Sequence, residues 1–266
     1  MLSIVIPALN ERASLPRILA RVLDVDLPCK RQIIVVDDGS TDGTLDAISA
    51  ILRDNADVMA LRLPKQSGKG SAIRAAIPHV SGDFMVIQDA DEEYDPRDLP
   101  CLVRPLIDGR VRAVYGSRVI NEHVRRQRRY TNPFWYGGRA LTLLANLLYP
   151  VCRISDEPVG YKLVRMDLMR TIPLRCTGFE FCPELTAKLS RRGVRIFSSP
   201  INYSPRSMSA GKKIRPKHFF EAVWTLIKYR FKRDHGKEDQ LVADAWAASC
   251  GAEVFTPQDR ESEQDA

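Results

Sequence analysis

The run Leu2-Ser3-Ile4-Val5-Ile6-Pro7, followed by Ala8-Leu9-Asn10-Glu11, decides the fold of this chain. It is a nearly continuous apolar stretch closed by a proline, the pattern of a parallel strand buried on both faces. Working outward, Leu15, Ile18, Leu19 and Val22 recur at helical spacing. Residues 33–36 read as the next strand, stopped by Asp37-Asp38-Gly39-Ser40, and Leu45, Ile48, Ile51 and Leu52 mark a second helix. Further strands are expected at 58–63, 84–88 and 113–115, with a helix near 70–78. Strand–helix alternation predicts an α/β domain with a mostly parallel, Rossmann-like sheet flanked by helices. In such sheets ligands sit beyond the carboxyl ends of the strands. The polar segments 8–11, 37–42 and 89–95 fall at those ends.

The second half reads differently. Residues 133–152 mix aromatics with leucines, 180–192 form a helix closed by Gly193, and 194–200 form a strand. An aromatic helix with basic flanks follows at 219–231. The expected organisation is one domain over 1–235, ending in interfacial helices, and a tail over 236–266. That tail is expected to be flexible or partly helical, with one apolar patch at 241–248.

Bulk properties narrow the classes. The 266 residues are 44% hydrophobic, too apolar for a disordered chain. No apolar run reaches the roughly 18–20 residues that span a bilayer. The N-terminus has no basic residue before its apolar run, and Pro7 interrupts that run, unlike a signal peptide. The expected location is the cytoplasm, with peripheral attachment to the cytoplasmic face of a membrane. Six cysteines without a C-x-x-C pair read as small hydrophobes in a reducing compartment, with no structural zinc. The net charge of +7 is uneven: 110–139 holds eight arginines and one acid, and 206–233 holds nine basic residues and one acid. Such stretches favour anionic partners.

Four motifs carry chemistry. In an extended Asp89-Ala90-Asp91-Glu92-Glu93, residues 89, 91 and 93 point to one side, so three carboxylates converge. A hard divalent cation, Mg²⁺ or Mn²⁺, would relieve their repulsion. A calcium loop is excluded because Tyr94 stands where glycine is required. The segment from Asp37 to Thr44 is a tight turn with Gly39 and Gly43, and it opens a helix. Gly68-Lys69-Gly70-Ser71 is not a P-loop, since Leu63 occupies the place of its first glycine. It would offer a cation and backbone N–H groups to a diphosphate, or simply begin a helix. Gly116-Ser117-Arg118 ends a strand with a residue able to grip phosphate bidentately.

Taken in order, Ile4-Val5-Ile6-Pro7, residues 35–44, 68–70, Gly82-Asp83, 89–96 and 116–118 resemble the family 2 glycosyltransferases of the GT-A fold. The dolichol-phosphate mannosyltransferase branch is the nearest in pattern. Asp156, Gly160-Tyr161-Lys162-Leu163, Gly178-Phe179-Glu180-Phe181, Ser204-Pro205-Arg206 and Gly211-Lys212-Lys213 extend the resemblance to about residue 231. The resemblance implies that Pro7, Glu11, Asp37, Asp38, Lys69, Ala90 and Lys213 bind the nucleotide sugar. It implies that Asp89, Asp91 and Glu93 hold the metal, and that Arg118, Arg206 and Lys213 meet phosphate. Asp89, Asp91, Arg118 and Arg206 would be the catalytic set. Leu9 departs from the family, which usually has Tyr there, and Glu93 stands where Gln is common. Many relatives carry C-terminal membrane spans, so a separate membrane-spanning protein is among the expected partners.

The implied reaction is inverting transfer of a mannose- or glucose-type sugar from GDP-mannose or a UDP-hexose to a polyprenyl phosphate. The acceptor is already anionic, so no general base is needed. His79, His123, His218 and His235 accordingly read as structural or surface residues. The regions 133–152 and 219–231 suit a membrane interface. Rival readings are a non-lipid acceptor such as a glycan or polysaccharide, a nucleotidylyltransferase, and an anion-binding module without catalysis. Gln127-Arg128-Arg129-Tyr130 lacks the Q-x-x-R-W motif of processive enzymes. No glycine follows the first strand before Gly39, against the nucleotidylyltransferase. The acidic trio argues against a nucleic-acid binder.

Overall fold

The computed structural model describes residues 1–121, 133–206, 213, 215–232 and 251–256. The basic stretch at 122–132, Lys212, His123, His235, Cys250 and the apolar patch at 241–248 lie outside the described residues. The first strand, β1 (Leu2–Ala8), forms where expected, and helix α1 (Leu15–Asp24) buries Leu15, Ile18, Leu19 and Val22. Strand β2 (Arg31–Asp37), helix α2 (Ser49–Asp54), β3 (Val58–Arg62), α3 (Lys69–Ala76), β4 (Phe84–Ile87), α4 (Leu99–Ile107) and β5 (Ala113–Ser117) continue the alternation. The second half adds α5 (Pro133–Leu148), β6 (Lys162–Arg165), α6 (Phe181–Arg191), β7 (Ile196–Pro200), α7 (Pro216–Phe231) and β8 (Glu253–Phe255). A single helical turn, Met166–Met169, follows β6.

All eight strands join one sheet in the order β7-β5-β6-β4-β1-β2-β3-β8. Strand β1 lies between β2 and β4, parallel to both, with Ile4 opposite Ile33 and Val86. Those three side chains are fully buried, as expected of a sheet covered on both faces.

The sheet is mostly parallel as expected, but it contains a strand that the sequence did not show, β6, running antiparallel between β4 and β5, and two further expectations need correction. The sequence hides β6 because Lys162 breaks its apolar pattern. In the fold this lysine is fully buried, donating to the Glu157 carbonyl at 2.9 Å and lying 3.7 Å from the Tyr115 ring centroid. The helix expected over 45–52 divides into a 3₁₀ turn, Asp46–Ile48, and α2. Part of the tail is a strand and not a helix: β8 pairs antiparallel with β3 and covers its edge. The cysteine reading holds only in part. The five described cysteines are free, with Cys152 buried and Cys101 exposed.

Helices α5 and α7 pack together beside the carboxyl ends of the strands, and the Tyr149 hydroxyl donates to the Leu226 carbonyl at 2.8 Å. They leave Leu143, Leu147, Phe220 and Trp224 between 64% and 76% exposed, the two aromatics at the border of the cleft. Among the described residues, no helix is long and apolar enough to cross a membrane.

Candidate active site

A cleft of about 1460 Å³ opens along the carboxyl ends of β1, β2 and β4 and runs on between α5, α6 and α7. Of the nucleotide-sugar residues expected from sequence, Pro7, Glu11, Asp38, Lys69, Ala90 and Lys213 line it. Asp89, Asp91, Glu93, Arg118 and Arg206 line it too. Asp37 does not. It is fully buried beneath its turn, where Oδ1 accepts from the Ser40 N–H at 3.1 Å and Oδ2 pairs with Arg62 at 3.2 Å.

The floor is built by loops leaving β1 and β2. The Asn10 N–H donates to the Ser40 hydroxyl at 2.8 Å, and the Glu11 N–H to the Thr44 hydroxyl at 3.0 Å. These bonds hold Glu11 against the cleft, 7% exposed. Asp38 uses both oxygens on backbone, accepting from Ser67 at 2.7 Å and Gly68 at 2.8 Å. Burial pushes its carboxyl above the usual range although both N–H groups oppose that.

The glycines of the 68–70 motif serve packing. A Cβ on Gly68 would lie 2.5 Å from the Thr177 carbonyl oxygen, and one on Gly70 would lie 2.5 Å from that of Cys176. Only bare backbone lets the 175–178 segment approach so closely. The Gly68 N–H is taken by Asp38 and the Ser71 N–H by the Thr177 carbonyl at 3.0 Å. The motif therefore begins a helix under a packed loop; Gly68 and Lys69 line the cleft, with the lysine paired to Asp89.

The acidic segment turns instead of running extended. Glu92 has φ +59°, and the Glu93 N–H donates to Asp91 Oδ1 at 3.2 Å. The expected convergence of three carboxylates does not form. Among the described residues, no three carboxylate, imidazole or thiol groups gather closely enough to hold a metal ion. Asp89 and Asp91 remain near each other, each matched by a cation: Lys69 on Asp89, and Arg206 on Asp91 at 2.9 Å. Burial, with repulsion from Asp89 and Glu93, raises the Asp91 carboxyl to about 6 despite Arg206. Glu93 turns toward Tyr203 and the Arg206 amide.

Arg206 also reaches Glu11 at 3.3 Å, and Lys213 meets the same carboxylate at 2.8 Å. Burial would raise Glu11, but Lys213, Ser14 and Arg206 hold it below the usual range. Arg118 enters from the opposite wall on a fork formed by Asp156, its guanidinium 5.0 Å from the Tyr203 ring centroid. The result is a cleft of alternating carboxylates and cations.

Sequence reasoning missed Tyr203, whose only signal is its place just before Ser204-Pro205-Arg206. His218, expected to be structural or at the surface, caps its helix and also borders the cleft. That imidazole lies 4.8 Å from the Phe179 ring, and its Nδ1 accepts from the Arg215 N–H at 3.0 Å.

A mostly parallel sheet with an acidic and basic cleft beyond its strand ends is the α/β arrangement in which ligands bind at the carboxyl ends of the strands. Residues 3–172 match glycosyl transferase family 2, and the chain belongs to that family. It is 26% identical over 243 residues to a dolichol-phosphate mannosyltransferase of Pyrococcus furiosus, covering 90% of this chain and 66% of that protein. It is 30% identical over 223 residues to an undecaprenyl-phosphate mannosyltransferase of Micrococcus luteus, covering 78% and 85%. Among solved structures, the glucosyl-3-phosphoglycerate synthase of Mycobacterium tuberculosis with Mn²⁺, UDP-glucose and phosphoglyceric acid superposes with a TM-score of 0.64. That match is 23% identical and covers 88% of this chain and 81% of the other. The shared fold confirms the GT-A architecture.

Proposed function

We propose that the protein transfers a mannose- or glucose-type residue from a nucleotide sugar to a polyprenyl phosphate at a membrane surface. The observation that carries this reading is the continuity of the cleft. Its polar end holds Lys69, Arg206 and Lys213 on carboxylates, and its other end passes between α5 and α7, which expose leucines and, along the cleft itself, the aromatics Phe220 and Trp224. The identity to enzymes named for lipid phosphates supports the acceptor class.

Asp89 and Asp91 fit a divalent cation. Both are hard oxygen donors, and burial, with repulsion from Asp89 and Glu93, raises the Asp91 carboxyl despite Arg206, a cost that a divalent cation would offset. Mg²⁺ is commonly held by one or two carboxylates plus substrate phosphates. Bound there, a metal would act as a Lewis acid on the departing diphosphate.

The chain's own groups do the rest. Lys69, Arg206 and Lys213 trade their carboxylates for phosphate oxygens as substrates enter, which keeps charge balanced in a partly buried site. Arg118 holds its place through Asp156 and steadies the acceptor phosphate by hydrogen bonds. An acceptor oxygen attacks the anomeric carbon as the bond to the diphosphate breaks. The bonding pair leaves with the nucleoside diphosphate, and the centre inverts. No side chain has to remove a proton, because the attacking phosphate is already ionised.

A second reading is a phosphorylated acceptor without a lipid. It is favoured by the solved relative that holds phosphoglyceric acid and by cations that read phosphate alone. The test is transfer from a panel of nucleotide sugars with Mg²⁺ or Mn²⁺ to polyprenyl phosphate, phosphoglycerate and a neutral glycan. Preference for the lipid phosphate supports the proposal, and preference for either alternative replaces it.

A further inference from the structure

Glu93 closes the acidic segment and is only 7% exposed, yet its surroundings differ from those of Asp89 and Asp91. Apart from its N–H, which donates to Asp91 Oδ1 at 3.2 Å, the hydrogen bonds it makes among the described residues go to one strap of chain, residues 203–206. Its carbonyl accepts from the Ser204 N–H at 2.9 Å. Its Oε1 accepts from the Arg206 N–H, also at 2.9 Å, and its Oε2 accepts from the Tyr203 hydroxyl. The next residue, Tyr94, forms an antiparallel bridge with Tyr203, their rings 5.1 Å apart.

The two acids thus divide Arg206 between them. Glu93 holds its backbone amide, while Asp91 holds its guanidinium at 2.9 Å. The guanidinium is thereby delivered between Asp91 and Glu11, 195 positions away in sequence. The strap carries a second cation contact, because the Tyr203 ring lies under Arg118. A carboxylate engaged on both oxygens would have to compete with the strap to ligate a metal. Two carboxylates with diphosphate and water already suffice for Mg²⁺ or Mn²⁺.

We propose that Glu93 is a positioning residue that anchors the 203–206 strap and sets Arg206 in the cleft, and that it stands outside the metal's ligand set. The second half rests on the proposal that Asp89 and Asp91 hold the cation. The anchoring half does not. A carboxamide can accept from the Arg206 amide and donate to the Tyr203 oxygen, so Glu93→Gln should preserve the strap. Glu93→Ala should release it.

The test pairs Mn²⁺ titration, followed by calorimetry with and without a nucleoside diphosphate, with amide hydrogen exchange over 203–206. Glu93→Ala should lose exchange protection at Arg206 and keep the wild-type affinity for Mn²⁺. Glu93→Gln should keep both, and Asp91→Asn should lose Mn²⁺ binding. Equal loss of Mn²⁺ in Glu93→Ala and Asp91→Asn would overturn the exclusion of Glu93 from the ligand set. Unchanged protection at Arg206 in Glu93→Ala would overturn the anchor. If wild type binds no Mn²⁺, the metal reading fails, and the exchange measurement still decides the anchor. Should Glu93→Ala not fold, Tyr203→Phe, which removes one bond of the strap, should raise exchange there without changing Mn²⁺ affinity, and no change in exchange overturns the anchor.

Discussion

Arg118 and Asp156 meet fork to fork, Nε 2.7 Å from Oδ2 and Nη2 2.8 Å from Oδ1, and the Arg118 amide donates to the same Oδ2 at 3.0 Å. Asp156 is 4% exposed. Burial would raise its carboxyl, but Arg118 holds it below the usual range. The arginine at the end of β5 is therefore held in place by the fold itself.

Removing one member of that pair should be costly. Breaking a buried ion pair by deleting one partner typically costs about 3–5 kcal/mol, so Asp156→Asn should lower the denaturation midpoint clearly. Because the folded-state pKa lies below the unfolded value of about 3.9, the pair contributes stability above that pH and loses it as pH falls through the folded value. Wild type should therefore lose more stability between pH 7 and 3 than Asp156→Asn does. Equal acid sensitivity in both proteins would sink the argument.

Transfer should stop with a chelator and return with Mg²⁺ or Mn²⁺. Asp89→Asn and Asp91→Asn should each reduce turnover by about 10²–10³, the usual loss for one electrostatic contact at a reacting centre. Circular dichroism should show the folds unchanged. Full activity of Asp91→Asn in chelator would count against the assignment.

Arg206→Ala should separate acceptor from donor. A charge-assisted hydrogen bond is worth about 1.5–3 kcal/mol, so KM for polyprenyl phosphate should rise about ten- to a hundredfold. Donor affinity by calorimetry should hold. Collapse of donor affinity alone would assign Arg206 to the donor diphosphate instead.

Gly70→Ala should destabilise through packing, since the new methyl meets backbone at 2.5 Å that cannot swing away. Overpacking of this kind costs about 1–3 kcal/mol, read as a fall in the urea midpoint. An unchanged midpoint would mean that the 175–178 segment shifts freely.

Liposome co-sedimentation tests the membrane proposal. Leu147→Asp with Trp224→Asp should reduce binding to anionic vesicles, with little change in melting temperature because both side chains are exposed. High salt should release wild type, as the Debye length falls to about 3 Å at 1 M. Indifference to lipid charge and to both substitutions would remove the surface from the proposal.

The strands β1 to β5, the helices around them and the cleft at their ends were legible because apolar periodicity and turn residues are local signals. Asp89, Asp91, Glu11, Lys69, Arg206 and Lys213 were legible through motif order. Strand β6 was not, because its buried lysine reads as surface until Glu157 and Tyr115 are seen around it. Strand β8 was not, because three residues in a polar tail carry no period.

The amino-acid sequence by itself determined the α/β class, the strand ends on which the site stands, and which charged residues would gather there. Tertiary structure alone decided how those charges are paired. Alternation along an extended chain would turn Asp89, Asp91 and Glu93 to one side, but the left-handed turn at Glu92 redirects the third carboxylate to Tyr203 and the Arg206 amide. The partners that settle this lie 110 and 113 positions away. Local spacing carries no information about contacts at that separation, which exist only once the segments after β4 and β7 meet, with Tyr94 bridging Tyr203.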